Sequence, residues 1–286
     1  MRLLDKVLDL IIPRKCAGCG MQAEIFCRQC VNASYTPRTA CLFCGQRNLM
    51  GEVCVSCRRQ AKTPLKRVFW AGRYDGELKK AVWALKYGKR RETAKPLGEL
   101  LARKFFSITL EAEIFSSHLT LSTGAPTRIQ KSSQLPHFLA KPPGKKSPSL
   151  KSDFPGKSDF FPGDFEDGGF AVIPIPLHFK KQYERGFNQA ELLAREFCKI
   201  TGLPLLTDVL QKTKETQEQV KVENKELRLT NMEDAFEVSL GNPIAKRLNI
   251  ILIDDVSTTG ATLTHAANAL KNAGAKNIIG LVVAHG

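Results

Sequence analysis

Two groups of residues in this sequence have the types and spacing for chemistry. The first is eight cysteines in four C-x-x-C pairs: Cys16/Cys19, Cys27/Cys30, Cys41/Cys44 and Cys54/Cys57. A C-x-x-C turn sets two thiolates on one side of a knuckle, and two knuckles complete a tetrahedral zinc site. The pairs therefore predict two structural zinc ions. The expected pairing is sequential, Cys16/Cys19/Cys27/Cys30 and Cys41/Cys44/Cys54/Cys57, as a double zinc ribbon; the spacing also permits an interleaved one. Disulfides or a redox thiol are the rival readings, and complete pairing in an expected cytoplasmic setting argues against both.

The second group is Asn249 to Leu263, N-I-I-L-I-D-D-V-S-T-T-G-A-T-L. Ile250 to Ile253 form an apolar run, as in a strand buried on both faces of a parallel sheet. Asp254 and Asp255 are expected where that strand surfaces. Val256 leads into the small, hydroxyl-rich turn Ser257, Thr258, Thr259, Gly260, Ala261 and Thr262. A helix over Leu263 to Ala273 follows, with Gly274 as its C-cap. Strand, small-residue loop and helix make an anion site, because N–H groups and the dipole at a helix start favour negative charge. Two acids before such a loop suit the hydroxyls of a sugar whose phosphate occupies it, or a Mg²⁺ bridging to that phosphate. Two solvated acids at a strand end are the plainer alternative.

The elements that must position these groups follow the order of the chain. Residues 1–13 read as a short amphipathic helix, with Asp5, Lys6 and Asp9 interrupting any signal-peptide core. Val68 to Tyr74 reads as a strand, Glu77 to Leu85 as a helix with Leu78, Ala81, Val82 and Leu85 on one face, and Pro96 to Phe106 as another helix. Between the helices, Lys86 to Arg91 is basic with one aromatic, and fits a phosphate loop, a single-strand stacking site or a solvated connection. Residues 107–168 are rich in Ser, Pro, Lys and Gly, repeat K-S-D-F, and balance 7 basic against 7 acidic residues. That composition predicts a disordered insertion, with Phe154, Phe160, Phe161 and Phe165 either a partner-binding string or inert. Ala171 to Leu177 returns to a buried strand. His178 falls in the following loop, and Arg185-Gly186 ahead of a helix is a plausible second anion loop. Cys198, alone among apolar helical residues, reads as a buried small hydrophobe.

At 286 residues the chain can bury an α/β core and carry a small extra domain. It has no run of eighteen apolar residues, so no membrane insertion is expected. The net charge of +15 is concentrated: from Arg58 to Lys104 there are 15 Lys and Arg against 4 Asp and Glu. Such a stripe suits a pyrophosphate or a nucleic-acid backbone, and basic solvated helix faces are common too.

The central stretch resembles the ribose-phosphate motif of type I phosphoribosyltransferases, which bind phosphoribosyl pyrophosphate (PRPP). The resemblance implies that Asp254 and Asp255 contact ribose hydroxyls and that Thr258 to Thr262 hold the 5-phosphate. Purine-salvage members carry an Asp two residues before the Gly; Thr258 stands there in this chain, which disfavours purine salvage. P-I-P-L-H, then R-G-F-N-Q-A-E-L-L-A, resemble the ComF family of bacterial competence-associated proteins. Thr216, Gln219, Arg228, Asn231 and Ala235-Phe236 agree with that family's pattern, and the cysteine-rich start with its zinc-ribbon head.

The expectation is a double zinc ribbon over 1–60, then a mostly parallel α/β type I phosphoribosyltransferase fold over 61–106 and 169–286, with helices on both faces. Its ligand would be PRPP with Mg²⁺, with Arg185 and Lys180 or Lys181 on the pyrophosphate. The polar stretch Thr213 to Asn231 would be a mobile lid. No residue stands out as a general base. Resemblance to the competence family implies a role in DNA uptake, with single-stranded DNA and the uptake machinery as partners. Transferase turnover on a nitrogenous base is the alternative.

Overall fold

A computed structural model describes residues 14–22, 24–48, 50–120, 169–213, 235–239 and 249–286. The expected N-terminal helix, the lid sequence after Thr213 and the insertion beyond residue 120 lie outside these residues.

Four strands form one parallel sheet in the order β1-β6-β5-β2. They are β1 (Arg67–Arg73), β2 (Phe170–Pro174), β5 (Asn249–Ser257) and β6 (Asn277–His285). Two short strands, β3 (Leu210–Lys212) and β4 (Phe236–Val238), pair antiparallel beside it. Side chains alternate across the sheet, so each strand feeds two cores. Phe69, Val172, Ile251, Ile253, Ile279 and Leu281 face one side, where helices α3 (Gly76–Lys86), α4 (Ala94–Thr120) and α6 (Gln189–Thr201) pack. Val68, Ile173, Ile250, Leu252, Ile278 and Val282 face the other, under α7 (Ala261–Asn272) and the paired strands β3 and β4. The helices on both faces and the parallel sheet agree with the expected class.

The cysteine-rich segment contributes two short helices, α1 (Arg28–Ser34) and α2 (Val55–Gln60). Its two halves divide between the two cores. Cys16, Phe26, Cys27 and Cys30 join the α3/α4 side, whereas Cys41, Leu42 and Val53 join the α7 side. Lys104 of α4, whose side chain is enclosed, fixes the segment between them. Its ammonium donates to the carbonyls of Thr36, Pro37 and Arg38 at 3.1, 3.0 and 3.2 Å.

Two boundaries differ from the sequence reading. Helix α4 does not stop at Phe106 but runs to Thr120, so residues 107–120 are helical rather than the start of the insertion. Ile108 and Thr109 are buried, and the Tyr35 hydroxyl bonds Ser107 at 2.9 Å, so packing carries the helix past its polar-looking boundary. Strand β5 likewise runs through both acids to Ser257, because its register with β6 continues to Ser257–His285. No helix among the described residues is long and apolar enough to cross a membrane.

Candidate functional site

The connections define where a ligand can sit. From β2 the chain passes through α6 to Leu205, which bridges outward to Val172; from β5 it passes through α7 to β6 on the other side. The carboxyl ends of β2 and β5 are therefore the point where the winding reverses, and a crevice opens there in sheets of this kind. Asp254, Asp255 and the Thr258–Thr262 loop stand at that point. Gly260 adopts the left-handed conformation (φ 76°) as N-cap of α7, and its carbonyl accepts from Thr264 N–H at 2.9 Å. The loop thus delivers the first turn of a twelve-residue helix to the end of the strand.

The two acids are unlike each other. Asp255 is buried, and its Oδ1 lies 2.9 Å from Lys86 Nζ at the last turn of α3. Its Oδ2 is buried without a hydrogen-bond partner among the described residues. Burial works against the Lys86 charge, but the neighbouring Asp255 carboxylate outweighs it and holds the ammonium pKa above its ordinary value. Asp254 is half-buried and accepts the Asp255 N–H at 2.8 Å. Desolvation, then repulsion from Asp255, push its carboxyl up to about 7, against the pull of Lys86 and Lys212. A Mg²⁺ held by both carboxylates would have to compete with Lys86 for Asp255.

The basic turn after α3 and the R-G-F-N-Q segment face each other. Helix α5 (Phe179–Arg185) ends at Arg185, and Gly186 (φ 73°) turns the chain toward α6. Asn188 caps α6 by accepting the Ala190 N–H at 3.1 Å, while its amide donates to the Ile175 carbonyl at 3.0 Å. That motif is thus in large part a joint between the end of β2 and α6. The Arg91 guanidinium lies 4.7 Å from the Phe187 ring and donates to the Gly186 carbonyl at 3.1 Å. Arg185 stacks on Tyr87 at 5.0 Å. Between the two segments lies a cavity of about 350 Å³ lined by Lys86, Tyr87, Lys89, Lys181, Glu184, Arg185 and Phe187. Of the two lysines named for a pyrophosphate, Lys181 lines it, and Lys180 is exposed one residue earlier. His178, expected in the loop after β2, is buried at the N-cap position of α5. Cys198 is half-buried in α6, and burial pushes its thiol up to about 12, in keeping with a packing role.

Lys86 joins the two halves of this region, since it touches Asp255 and also lines the cavity. The sequence reading placed it in the basic connection Lys86 to Arg91, as a phosphate loop, a single-strand stacking site or a solvated connection, and did not pair it with Asp255. Its one signal was its place as the first cation after an amphipathic stretch.

The cysteines gather in the sequential order. Sulfur atoms of Cys16, Cys19, Cys27 and Cys30, and of Cys41, Cys44, Cys54 and Cys57, lie within 4.8 Å of one another in each group. The Cys16–Cys30, Cys19–Cys27 and Cys44–Cys54 separations are 3.7, 3.8 and 3.8 Å. Four thiolates at about 2.3 Å from a tetrahedral zinc stand about 3.8 Å apart. Knuckle N–H groups also point at sulfur, from Gly18 and Cys27 to Cys16 at 3.4 and 3.3 Å, and from Cys54 to Cys41 at 3.5 Å. Each group could hold one zinc ion.

Residues 184–286 match the phosphoribosyl transferase domain family. The chain is 40% identical to competence protein ComFC of Bacillus subtilis over 126 residues, 44% of this chain and 47% of that protein. It is 32% identical to competence protein F of Haemophilus influenzae over 108 residues, 38% of this chain and 47% of that protein. These two matches span about half the length of those relatives. A DNA utilization protein of Escherichia coli K12, YhgH, is 24% identical over 271 residues, 93% of this chain and 94% of that protein. The similarity to phosphoribosyl transferase domains and to competence proteins thus accompanies a parallel sheet that ends in paired acids and a helix-starting loop, with two four-cysteine groups ahead of it.

Proposed function

We propose that the chain binds PRPP, or a ligand of the same ribose 5-phosphate class, and serves in the cytoplasm in handling DNA taken up during competence. The observation that carries the reading is the junction of β5 and α7, where Asp254 and Asp255 adjoin the Thr258–Thr262 loop. The loop N–H groups and hydroxyls suit a 5-phosphate, the carboxylates suit ribose hydroxyls, and Arg185 with Lys181 suits a pyrophosphate. The metal proposed for each cysteine group is zinc, holding the knuckles as structure. Magnesium, if needed, would arrive on the pyrophosphate oxygens of the ligand. The names of the relatives support the DNA role, as competence and DNA-utilization proteins.

Single-stranded DNA is the nucleic-acid partner that the surface beside the cavity suits. Trp83 on α3, Tyr87 at its C-cap, and Phe179 and Tyr183 on α5 are exposed large aromatics, near Lys89 and Lys181. Exposed rings among cations give stacking surfaces for unpaired bases and counter-charges for phosphates. The DNA-uptake machinery would be the wider partner.

Titration with PRPP, ribose 5-phosphate and single-stranded DNA tests the reading. Replacing both Asp254 and Asp255 by Asn removes charge-assisted contacts of about 1.5–3 kcal/mol, so PRPP affinity should fall about ten- to a hundredfold while DNA affinity holds. A double variant that binds PRPP like the wild type and loses DNA would sink it.

One observation favours transferase turnover as a second reading. Asp254, pushed up to about 7, lies in the range a general base needs at neutral pH. In that reaction a base nitrogen attacks C1, the bond from C1 to the pyrophosphate oxygen breaks, and the leaving group departs with the electron pair. The nitrogen's proton would pass to Asp254. Pyrophosphate release with candidate bases decides this reading.

A further inference from the structure

Adjacent carboxylates at one strand end repel, and a divalent cation is the common remedy. This chain meets the charge in another way. Lys86 Nζ stands 2.9 Å from Asp255 Oδ1, with the two side chains only 17% and 4% exposed. The position of Lys86 is set by its helix: Leu78, Ala81, Val82 and Leu85 bury one face of α3, which aims the last turn at the end of β5. The ion pair therefore belongs to a packed element and not to a loose surface side chain.

What remains unused at the pair is acceptor capacity. Asp255 Oδ2 is buried with no partner among the described residues, and Asp254 holds the Asp255 N–H through one oxygen. Two carboxyl groups with spare acceptors suit two neighbouring hydroxyl donors, which is what a vicinal diol presents. An ammonium has three donors, so Lys86 can stay on Asp255 while turning another toward an anion in the cavity that it lines.

We propose that Lys86 is a positioning residue that supplies, as a tethered cation, the charge a divalent metal would otherwise bring to Asp254 and Asp255. A ribose 5-phosphate group then binds without a metal ion at the acids, and Lys86 carries the contact onward to the anionic part of a longer ligand. The inference rests on the ribose 5-phosphate reading of the site and adds to it.

Ribose 5-phosphate itself is the probe, because it lacks the pyrophosphate that brings magnesium along. Calorimetric titrations are run with millimolar Mg²⁺ and in buffer freed of divalent ions by chelating resin, with zinc content checked afterwards. The wild-type affinities should agree within about twofold. Lys86→Met should bind about tenfold or more weakly without metal and recover in part when Mg²⁺ is added, whereas Lys86→Arg should stay close to the wild type. A wild-type protein that needs Mg²⁺ for its affinity, by tenfold or more, overturns the inference and leaves the site reading standing. No binding of ribose 5-phosphate in either buffer overturns the site reading and the inference with it. A folded Lys86→Met that binds ribose 5-phosphate like the wild type without metal overturns the inference too, and if Lys86→Met does not fold, Lys86→Gln takes its place in the same titrations.

Discussion

Gly260 lies against the tip of the third cysteine knuckle: a Cβ on it would stand 2.8 Å from Leu42 Cδ2 and 3.1 Å from two ring carbons of Phe43. The loop at the end of β5 and the turn between Cys41 and Cys44 are thus in direct contact. Gly260→Ala would meet that obstruction and also place a side chain at φ 76°. The expected loss of stability is about 1–3 kcal/mol from the backbone alone, read by denaturant melts. Ribose 5-phosphate affinity should fall with it, because the helix start can no longer seat on the knuckle.

Phe43→Ala separates metal from contact. It keeps all four thiols of its group, so metal analysis should still return two zinc ions per chain, while ligand affinity weakens. Cys16→Ser, in the group packed on the opposite face of the sheet, should lower the melting temperature and disturb ligand affinity less than Cys41→Ser. A fully reduced wild-type protein that holds fewer than two zinc ions would refute the two-site assignment.

The pH dependence of folding follows from Asp254. Its carboxyl is raised from an ordinary value of 3.8 to about 7, so between those values the folded chain holds a proton that the unfolded chain has lost. Stability should therefore decline as pH rises through that window and level off above it. Asp254→Asn should flatten this part of the profile and be the more stable protein at pH 8. Chemical denaturation of both proteins across pH 4 to 8 measures the difference.

The cations of the basic turn divide into structural and available groups. Arg90 donates to the Lys15 carbonyl at 2.7 Å and pairs with Glu92, and Arg91 binds Gly186 and Phe187. Replacing them should cost stability first. Lys89→Ala should instead flatten the salt dependence of single-stranded DNA binding by about one slope unit at most. Trp83→Ala and Tyr183→Ala should each lose about 1–3 kcal/mol of that binding with little change in salt dependence. DNA affinity unchanged in all three would place the strand elsewhere on the molecule.

Much of this was legible in the residues because the signals were local. The C-x-x-C spacing fixes each knuckle, and Ile250 to Ile253 with T-T-G-A-T announces a strand, a loop and a helix. The strand end was misread, since acids are uncommon inside strands and two of them look like an exit. They stay in β5 because the chain continues its pairing with β6 and because Lys86 neutralises one of them. That partner stands 169 positions away in sequence, and no local pattern joins a helix-ending lysine to a strand-ending aspartate. The length of α4 was hidden for a similar reason: Ile108 and Thr109 look like the edge of a polar tract until the surfaces that bury them are in place.

Lys104 has a mechanical consequence. By gripping three successive carbonyls at Thr36, Pro37 and Arg38, it pins the chain midway between the two cysteine groups to the longest helix among the described residues. The cysteine module is therefore not a head swinging on a tether. A polymer that touched both a knuckle and the cavity would be held across a fixed span, so the molecule would act as a ruler and not as a hinge. Tension applied to the module would reach the sheet through α4 instead of being absorbed by slack.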